Sequence, residues 1–206
     1  MPDFLLEDAV NGMVAGVDEA GRGPWVGPVV AGCAVFISRD VDEYLLENLN
    51  DSKKLSKKKR EMLYNLLWEE QRKGTMKLGI GQASAQEIDD VNILNASFLA
   101  MKRAVEVAGV KPQLVLVDGN REPKNFGFQT KAVIKGDAKS YSISAASILA
   151  KVYRDRLMED MAQKYPGYGF EKNAGYGTKA HIEGLKQFGV TPEHRKSYAP
   201  IKEFLR

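Results

Sequence analysis

Residues 13–28 read MVAGVDEAGRGPWVGP, and this stretch decides how the fold begins. Met13–Val17 is a short apolar run, which predicts a β-strand. Three glycines and two prolines follow within residues 21–28, and they predict a tight turn rather than a helix. Val29–Ile37 is again apolar and contains several valines, which predicts a second strand. Two strands joined by a tight turn indicate a β-hairpin.

The rest of the chain alternates between helix and strand patterns. We expect helices at residues 57–73, from Ser84, at 92–108, 142–164 and 178–188, and strands at 76–80, 114–117 and 128–134. This order predicts an α/β fold with a mixed five-stranded sheet and helices on both faces. Three antiparallel strands should come first, and the later strands should run parallel to the first. We expect residues 1–206 to form one domain, with about 160–206 as a small C-terminal helical extension.

Composition excludes several classes of protein. The chain has 206 residues, and its 44% hydrophobic and 28% charged content is ordinary for a globular domain. Cys33 is the single cysteine, so an intrachain disulfide is impossible and we expect a reducing, cytoplasmic location. The chain has neither an apolar run near the ~20 residues that span a membrane nor a basic signal-peptide region. We therefore expect no membrane partner. We also expect a monomer. The net charge of +3 is too small to indicate nucleic-acid binding by itself.

Acidic residues follow the predicted strands at the points where the strands end. Asp18 and Glu19 come directly after the first strand, Asp118 follows residues 114–117, and Asp137 follows the next strand. Ligands of open α/β sheets bind at the carboxyl ends of strands, so these acids converge if the strands are neighbours. Carboxylates that meet in this way repel each other unless cations neutralise them, and oxygen ligands favour Mg²⁺ or Mn²⁺ over zinc. Taken singly, each acid also suits an ordinary turn.

Two further patterns have both a functional and a structural interpretation. Lys53, Lys54 and residues 57–60 form a basic block, which suits either a solvated helix face or a surface that contacts phosphates. Aromatic residues alternate with glycines between Tyr165 and Tyr176. Exposed rings in such a loop can stack on a base or sugar, whereas buried rings would fix the loop to the domain.

Six segments resemble, in order, the motifs of the type 2 ribonucleases H, specifically ribonuclease HII. They are Asp18–Pro24, Asp51–Ser56, Val117–Gly119, Lys135–Asp137 together with 144–155, Gly175–Thr178 and His194–Ser197. The first, DEAGRGP, matches over seven consecutive residues and is therefore specific. One departure is Asn173-Ala174, where the family usually has His-Lys. We expect this change to weaken a nearby phosphate contact and to leave the chemistry unaltered.

The resemblance implies a ribonuclease H-like fold and an endonuclease that hydrolyses the RNA strand of RNA–DNA hybrids. It also implies cleavage 5′ to single ribonucleotides embedded in duplex DNA. Two divalent ions, Mg²⁺ or Mn²⁺, would serve the reaction, which leaves 5′-phosphate and 3′-hydroxyl ends. The implied partners are an RNA–DNA hybrid or a DNA duplex that contains ribonucleotides.

The implied site residues fall into two sets. The catalytic and metal-binding set is Asp18, Glu19, Asp118 and Asp137. The substrate-binding set is Gly21, Arg22 and Gly23 at the ribose 2′-hydroxyl, Lys53 and Lys54 at phosphates, and Tyr176 stacked on a sugar. Two alternatives are a non-catalytic module that binds hybrids and a different metal-dependent phosphohydrolase. Neither alternative explains the basic block, the glycine turn and the tyrosine together.

Overall fold

The computed structural model describes residues 2–205 and places five strands in one sheet. The strands are β1 Val14–Ala20, β2 Val29–Phe36, β3 Met76–Ala83, β4 Leu114–Asp118 and β5 Thr130–Val133. Their order across the sheet is β3-β2-β1-β4-β5. The pairs β1–β2 and β2–β3 are antiparallel, and the pairs β1–β4 and β4–β5 are parallel. The predicted mixed sheet is therefore confirmed, with antiparallel pairing among the first three strands and with the later strands parallel to the first.

Helices connect and cover these strands. Within residues 2–205 they are α1 Leu5–Asp8, α2 Glu43–Asn48, α3 Lys57–Lys73, α4 Ala85–Ala108, α5 Tyr141–Lys164, α6 Phe170–Asn173, α7 Lys179–Phe188 and α8 Ala199–Lys202, with 3₁₀ turns at Ser52–Lys54 and Gly136–Ala138. The short helices α1, α2, α6 and α8 were not predicted, because four to six residues are too few to show a helical apolar period. None of the helices in the described part of the chain has the length and apolar character needed to cross a bilayer.

Helix boundaries follow the capping residues in the sequence. The side chain of Ser56 accepts the N–H of the third residue of α3, and Ser84 and Glu87 form a reciprocal capping box at the start of α4. Asn92 interrupts α4 with φ 67° and ψ 163°, and its side chain accepts the N–H of Asn95. The two helices predicted in this region are therefore two segments of α4, the second of which is capped by Asn92.

Helix α4 packs on one face of the sheet, and α3 and α5 pack on the other. Glycines in β1 and β2 allow α5 to approach very closely. A Cβ atom at Gly16 would lie 2.3 Å from the backbone nitrogen of Ile143, and one at Gly32 would lie 2.2 Å from a carbonyl oxygen of α5. The helix therefore rests directly on the strand backbones, which brings Ser147 within hydrogen-bonding reach of Asp18.

Helices α6, α7 and α8 follow α5 in the region predicted as a C-terminal extension. A separate apolar cluster joins it to the turn after β1 and to the C-terminal half of α5. Its buried members are Val26, Met158, Tyr168, Phe170, Leu185 and Ile201. The turn that follows β1 is therefore held between the sheet and the extension.

Candidate active site

Parallel pairing of β1 and β4 brings two of the predicted acids to one edge of the sheet. Val17 lies opposite Val117 in this pair, so Asp18 and Asp118 are neighbours. Asp118 is the last residue of β4, whereas Asp18 and Glu19 lie inside β1, which continues to Ala20 through its pairing with β2. The backbone N–H of Gly136 donates to Asp118 Oδ1 at 2.7 Å, which attaches the turn that carries Asp137 to the same edge. The structure thus brings together the acids that the strand-end pattern predicted to converge.

The electrostatics of these acids show that they interact. Burial raises the pKa of Asp18 well above its ordinary value, and the charges of Glu19 and Asp118 raise it further. The pKa of Glu19 is also raised by burial, although Arg22 opposes that shift through an ion pair at 3.3 Å. Burial and the charge of Asp118 raise the pKa of Asp137. Burial and like charge therefore make the ionised form of Asp18, Glu19 and Asp137 less favourable than it is in water, and a nearby cation would offset that cost.

Donors from the protein hold these carboxylates. The backbone N–H of Glu19 donates to Asp18 Oδ1 at 2.7 Å, while Arg22 and Gly136 bind Glu19 and Asp118. Across residues 2–205, no three Asp, Glu, His or Cys side chains already stand at a spacing that would ligate one metal ion. The donor set itself consists of hard carboxylate oxygens, which suits Mg²⁺ or Mn²⁺.

Asp51 is a further acid at this edge, which the sequence reasoning did not assign to the site. Its charge and a hydrogen bond from its side chain contribute to the raised pKa of Asp137. Asp51 also accepts the backbone N–H of Lys53 at 2.9 Å, and the next residue, Ser52, lies 2.8 Å from Ser147 through their hydroxyl oxygens. The only signal in the sequence was its position in the second family motif.

A cleft of about 340 Å³ opens beside the acids. Its lining combines both predicted sets of residues: Asp18, Glu19, Gly21, Arg22, Gly23, Lys53 and Tyr176, together with Ser52, Ser147, Lys151 and Arg154. A second cleft, of about 330 Å³, shares Glu19 and Arg22 with the first and extends to Asp118. Glu19 therefore lies where the two clefts meet, with Asp18 in the first cleft and Asp118 in the second, whereas Asp137 lines neither of them.

The aromatic loop divides into buried and exposed rings. Tyr168 and Phe170 are buried and stack on each other, so they fix the loop to the domain. Tyr176 is 52% exposed and lies against Gly23, where an added Cβ would be 3.1 Å from its Cε1 atom. The buried side chain of Asn173 accepts the N–H of Gly175 at 2.8 Å and so shapes the turn before Tyr176. The departure from the family motif thus has a structural role in this chain.

The basic block is also divided by the fold. Lys53 lines the cleft, and Lys54 is exposed on the same 3₁₀ turn. Lys57 forms an ion pair with Glu159 of α5, and Arg60 donates to two carbonyl oxygens of the preceding turn. Residues 57–60 therefore belong to the surface of α3 and to its contacts with α5 and the preceding turn. Lys53 is the residue of the basic block that lines the same cleft as Asp18 and Glu19.

Comparison with known proteins identifies the family. The sequence model of the family described as Ribonuclease HII matches residues 15–200. A ribonuclease HII of Wolbachia sp. subsp. Brugia malayi is 49% identical over 200 residues, which cover 97% of this chain and 94% of that protein. A ribonuclease HII of Paramagnetospirillum magneticum is 48% identical over 205 residues, which cover 100% of this chain and 99% of that protein.

Solved structures share the fold described above. The crystal structure of the ribonuclease H2 from Pyrococcus horikoshii OT3 superimposes with a TM-score of 0.73 at 32% identity, covering 93% of this chain and 96% of that chain. The similarity thus extends over most of both chains. Sequence and structure together show that this chain belongs to the ribonuclease HII family.

Proposed function

We propose that this chain performs its family's endoribonuclease reaction, hydrolysis of the RNA strand of an RNA–DNA hybrid, at the sheet edge where Asp18, Glu19 and Asp118 meet. The observation that carries this assignment is the position of these acids beside the Gly21–Gly23 turn, in a cleft that also contains an exposed tyrosine. A phosphodiester could lie at the acids while its ribose faces the turn. Cleavage 5′ to a single ribonucleotide within duplex DNA is part of the same proposal.

Asp18, Glu19, Asp118 and Asp137 are the residues that would hold divalent ions. The raised pKa values of Asp18, Glu19 and Asp137 support this role. A bound cation would offset both the burial of their charges and their mutual repulsion. When bound, a pair of Mg²⁺ or Mn²⁺ ions would polarise the attacking water and stabilise the leaving 3′ oxygen, which gives 5′-phosphate and 3′-hydroxyl ends. The carboxylates of this chain would orient those ions at the end of β1 and β4.

The chain's other residues would position the substrate. A 2′-hydroxyl is both a donor and an acceptor, and a backbone turn without bulky side chains can approach it closely. Gly21 has φ +94°, a conformation that favours glycine, at the point where the chain leaves β1. The exposed ring of Tyr176 would stack on the following sugar, and Lys53 and Lys54 would contact phosphates. The proposed working form is a cytoplasmic monomer.

One incubation separates this function from its two alternatives. The protein is mixed with Mg²⁺ and a duplex DNA that carries one ribonucleotide, and in parallel with a long RNA–DNA hybrid and an all-DNA duplex. We expect a single cut on the 5′ side of the ribonucleotide, cuts throughout the RNA strand of the hybrid, and none in the all-DNA duplex. A module that only binds hybrids would retain both substrates uncut. A phosphohydrolase for small esters would instead release phosphate from a simple monoester.

Tyr176 provides a test of how a single ribonucleotide is selected. We expect Tyr176→Ala to slow single-turnover cleavage at an isolated ribonucleotide more than cleavage within a long hybrid, because only the isolated site has an RNA–DNA junction at every encounter. Tyr176→Phe should retain most activity, since stacking requires the ring and not the hydroxyl. Equal losses on both substrates would show that Tyr176 only anchors the loop.

A further inference from the structure

The motif His194–Ser197 has no place in the proposed chemistry, yet it is connected to both elements that would face the sugars of the substrate, the glycine turn and Tyr176. His194 forms an antiparallel bridge with Val26, just after the glycine turn. The two residues after Arg195 donate three hydrogen bonds to the carboxylate of Asp89 in α4, at 2.6–2.8 Å. This segment is therefore fixed to the body of the domain and can in turn fix what it contacts.

The Arg195 side chain is fully buried and binds the inner side of the turn. Its Nη2 and Nη1 atoms donate to the carbonyl oxygens of Gly21 and Arg22, and its Nε donates to that of Gly27 at 3.0 Å. The hydroxyl of Tyr198 donates to the Arg22 carbonyl as well, at 2.7 Å. A planar guanidinium with donors on three nitrogens can bind several carbonyls at once, which a lysine ammonium cannot reproduce.

These hydrogen bonds determine which backbone groups of the turn are left to bind a ligand. The peptides of the turn are trans, so each N–H points away from the carbonyl of the preceding residue. Because the carbonyls of Gly21 and Arg22 point inward to Arg195, the N–H groups of Arg22 and Gly23 point to the opposite side. Both residues line the cleft. Two neighbouring N–H donors there suit an acceptor such as a ribose 2′-oxygen.

A histidine pair connects the same segment to Tyr176. The backbone N–H of Thr191 donates to His194 Nδ1 at 3.0 Å, so the proton of a neutral His194 is on Nε2. That Nε2–H faces His181 Nε2 at 3.0 Å, which leaves His181 to donate its Nδ1–H to the Tyr176 carbonyl oxygen, also at 3.0 Å. The hydrogen bonds thus run in one direction, from Thr191 through His194 and His181 to the backbone of Tyr176, and both imidazoles are buried.

We propose that His194 and Arg195 are positioning residues that together orient the two sugar-facing elements of the cleft. Arg195 turns the N–H groups of Arg22 and Gly23 outward to the ribose, and His194 fixes Tyr176, which faces the following sugar, through His181. This inference rests on the proposed function, since it assigns these residues a part in recognising ribose. It predicts that changes in the buried segment alter discrimination between ribose and deoxyribose, with little effect on general duplex binding.

The first experiment measures ribose discrimination in Arg195→Lys. Affinities for a duplex with one ribonucleotide and for the same all-DNA duplex are measured without divalent ions, and single-turnover cleavage is measured with Mg²⁺. The wild type should prefer the ribonucleotide duplex by about 2- to 10-fold, the value of one hydrogen bond. In Arg195→Lys this preference should fall to near unity and cleavage should slow by about 10-fold or more, with all-DNA affinity within about twofold of wild type.

Arg103→Lys is the matched control. Arg103 also forms several hydrogen bonds, to Glu87 and to the Gln82 carbonyl, and does not line either cleft. It should retain the preference and the rate. If Arg195→Lys does not fold, Tyr198→Phe decides, because it removes one donor to the Arg22 carbonyl and should reduce the preference in part.

Several results would overturn the proposal. They are an unchanged preference in Arg195→Lys or Tyr198→Phe, an equal loss of affinity for both duplexes, or an equal effect of Arg103→Lys. A wild-type protein that binds the ribonucleotide duplex selectively without cutting it would instead overturn the proposed reaction and leave this inference standing.

The second experiment uses a double-mutant cycle to test whether the histidine pair acts through Tyr176. Single-turnover cleavage of the ribonucleotide duplex is compared in wild type, His181→Asn, Tyr176→Ala and the double variant. If His181 acts through Tyr176, the double variant should be about as slow as Tyr176→Ala alone, because the ring that His181 fixes is already absent. Losses that multiply would show that His181 acts independently of Tyr176 and would remove the histidine pair from the proposal.

Discussion

Acidification should destabilise this protein through its two histidines. Burial lowers the pKa of His194 to about 4 from an ordinary value of 6.5, with a contribution from the charge of His181, and burial also lowers the pKa of His181. The geometry gives the same direction. A second proton on His194 would go to Nδ1 and face the Thr191 N–H across 3.0 Å, and one on His181 would go to Nε2 and face the His194 Nε2–H across 3.0 Å. The unfolded chain would therefore bind protons at a pH where the folded protein does not.

The sign and size of the effect follow from that difference. Stability from the neutral His194 is complete above about pH 6.5 and is lost as the pH falls towards 4. At 1.36 kcal/mol for each pKa unit, the full loss is about 3 kcal/mol, and about 2 kcal/mol of it should appear between pH 7 and pH 5. His181 adds to the loss. The raised pKa values of Asp18 and Glu19 act in the opposite direction, so wild type must be compared with a variant.

The assay is urea unfolding of wild type and His194→Gln at pH 7 and pH 5. We expect wild type to lose about 2 kcal/mol more than the variant over this interval. Since the chain has only two histidines, NMR titration can follow both rings directly. Both rings should titrate with a pKa below the ordinary histidine value of 6.5. Equal losses of stability in the two proteins, or a ring that titrates near 6.5, would refute the reasoning.

Three further changes test other parts of the site. Asp18→Asn should slow metal-dependent cleavage by more than about 100-fold, and a cleavage rate equal to wild type would exclude Asp18 as a ligand. The same change should raise the melting temperature in metal-free buffer, because it removes a buried charge beside like charges. Changing Lys53 and Lys54 to Ala should weaken binding to every duplex sequence and reduce the slope of log affinity against log salt by about 1–2; an unchanged slope would make both lysines ordinary surface residues. Gly23→Ala should push the Tyr176 ring away and slow cleavage by about 10-fold, while thermal unfolding stays near wild type; normal cleavage would show that the ring can move without cost.

The parts of this protein that sequence could predict depend on local pattern. The apolar run ending at Asp18 and the four-residue run ending before Asp118 indicate strands, and parallel strands place their carboxyl ends at one edge. The start of α4 was predictable because Ser84 and Glu87 are three residues apart, the spacing of a capping box. Local signals of this kind require no knowledge of which distant segments meet.

The remainder of the site depends on contacts between distant segments. Nothing near Arg195 in the sequence indicates that its charge is fully buried against the carbonyls of Gly21 and Gly27. The two histidines are 13 residues apart and show no metal-ligand spacing, yet the fold joins their rings. Such residues could be located beforehand only by their position in a family motif, which does not reveal their partners.

The distance along the chain between the glycine turn and Arg195 has a consequence for how the protein is made. The residues that fix the turn follow it by 168–176 positions. Synthesis runs from the N-terminus, so β1 leaves the ribosome long before Arg195 exists. Closing a loop of this length also costs entropy, which the sheet must largely offset before the contact can form. A partly synthesised chain can therefore contain β1 before the contacts that hold the turn exist, and the proposed arrangement of the turn could form only after residues 195–198 have been made.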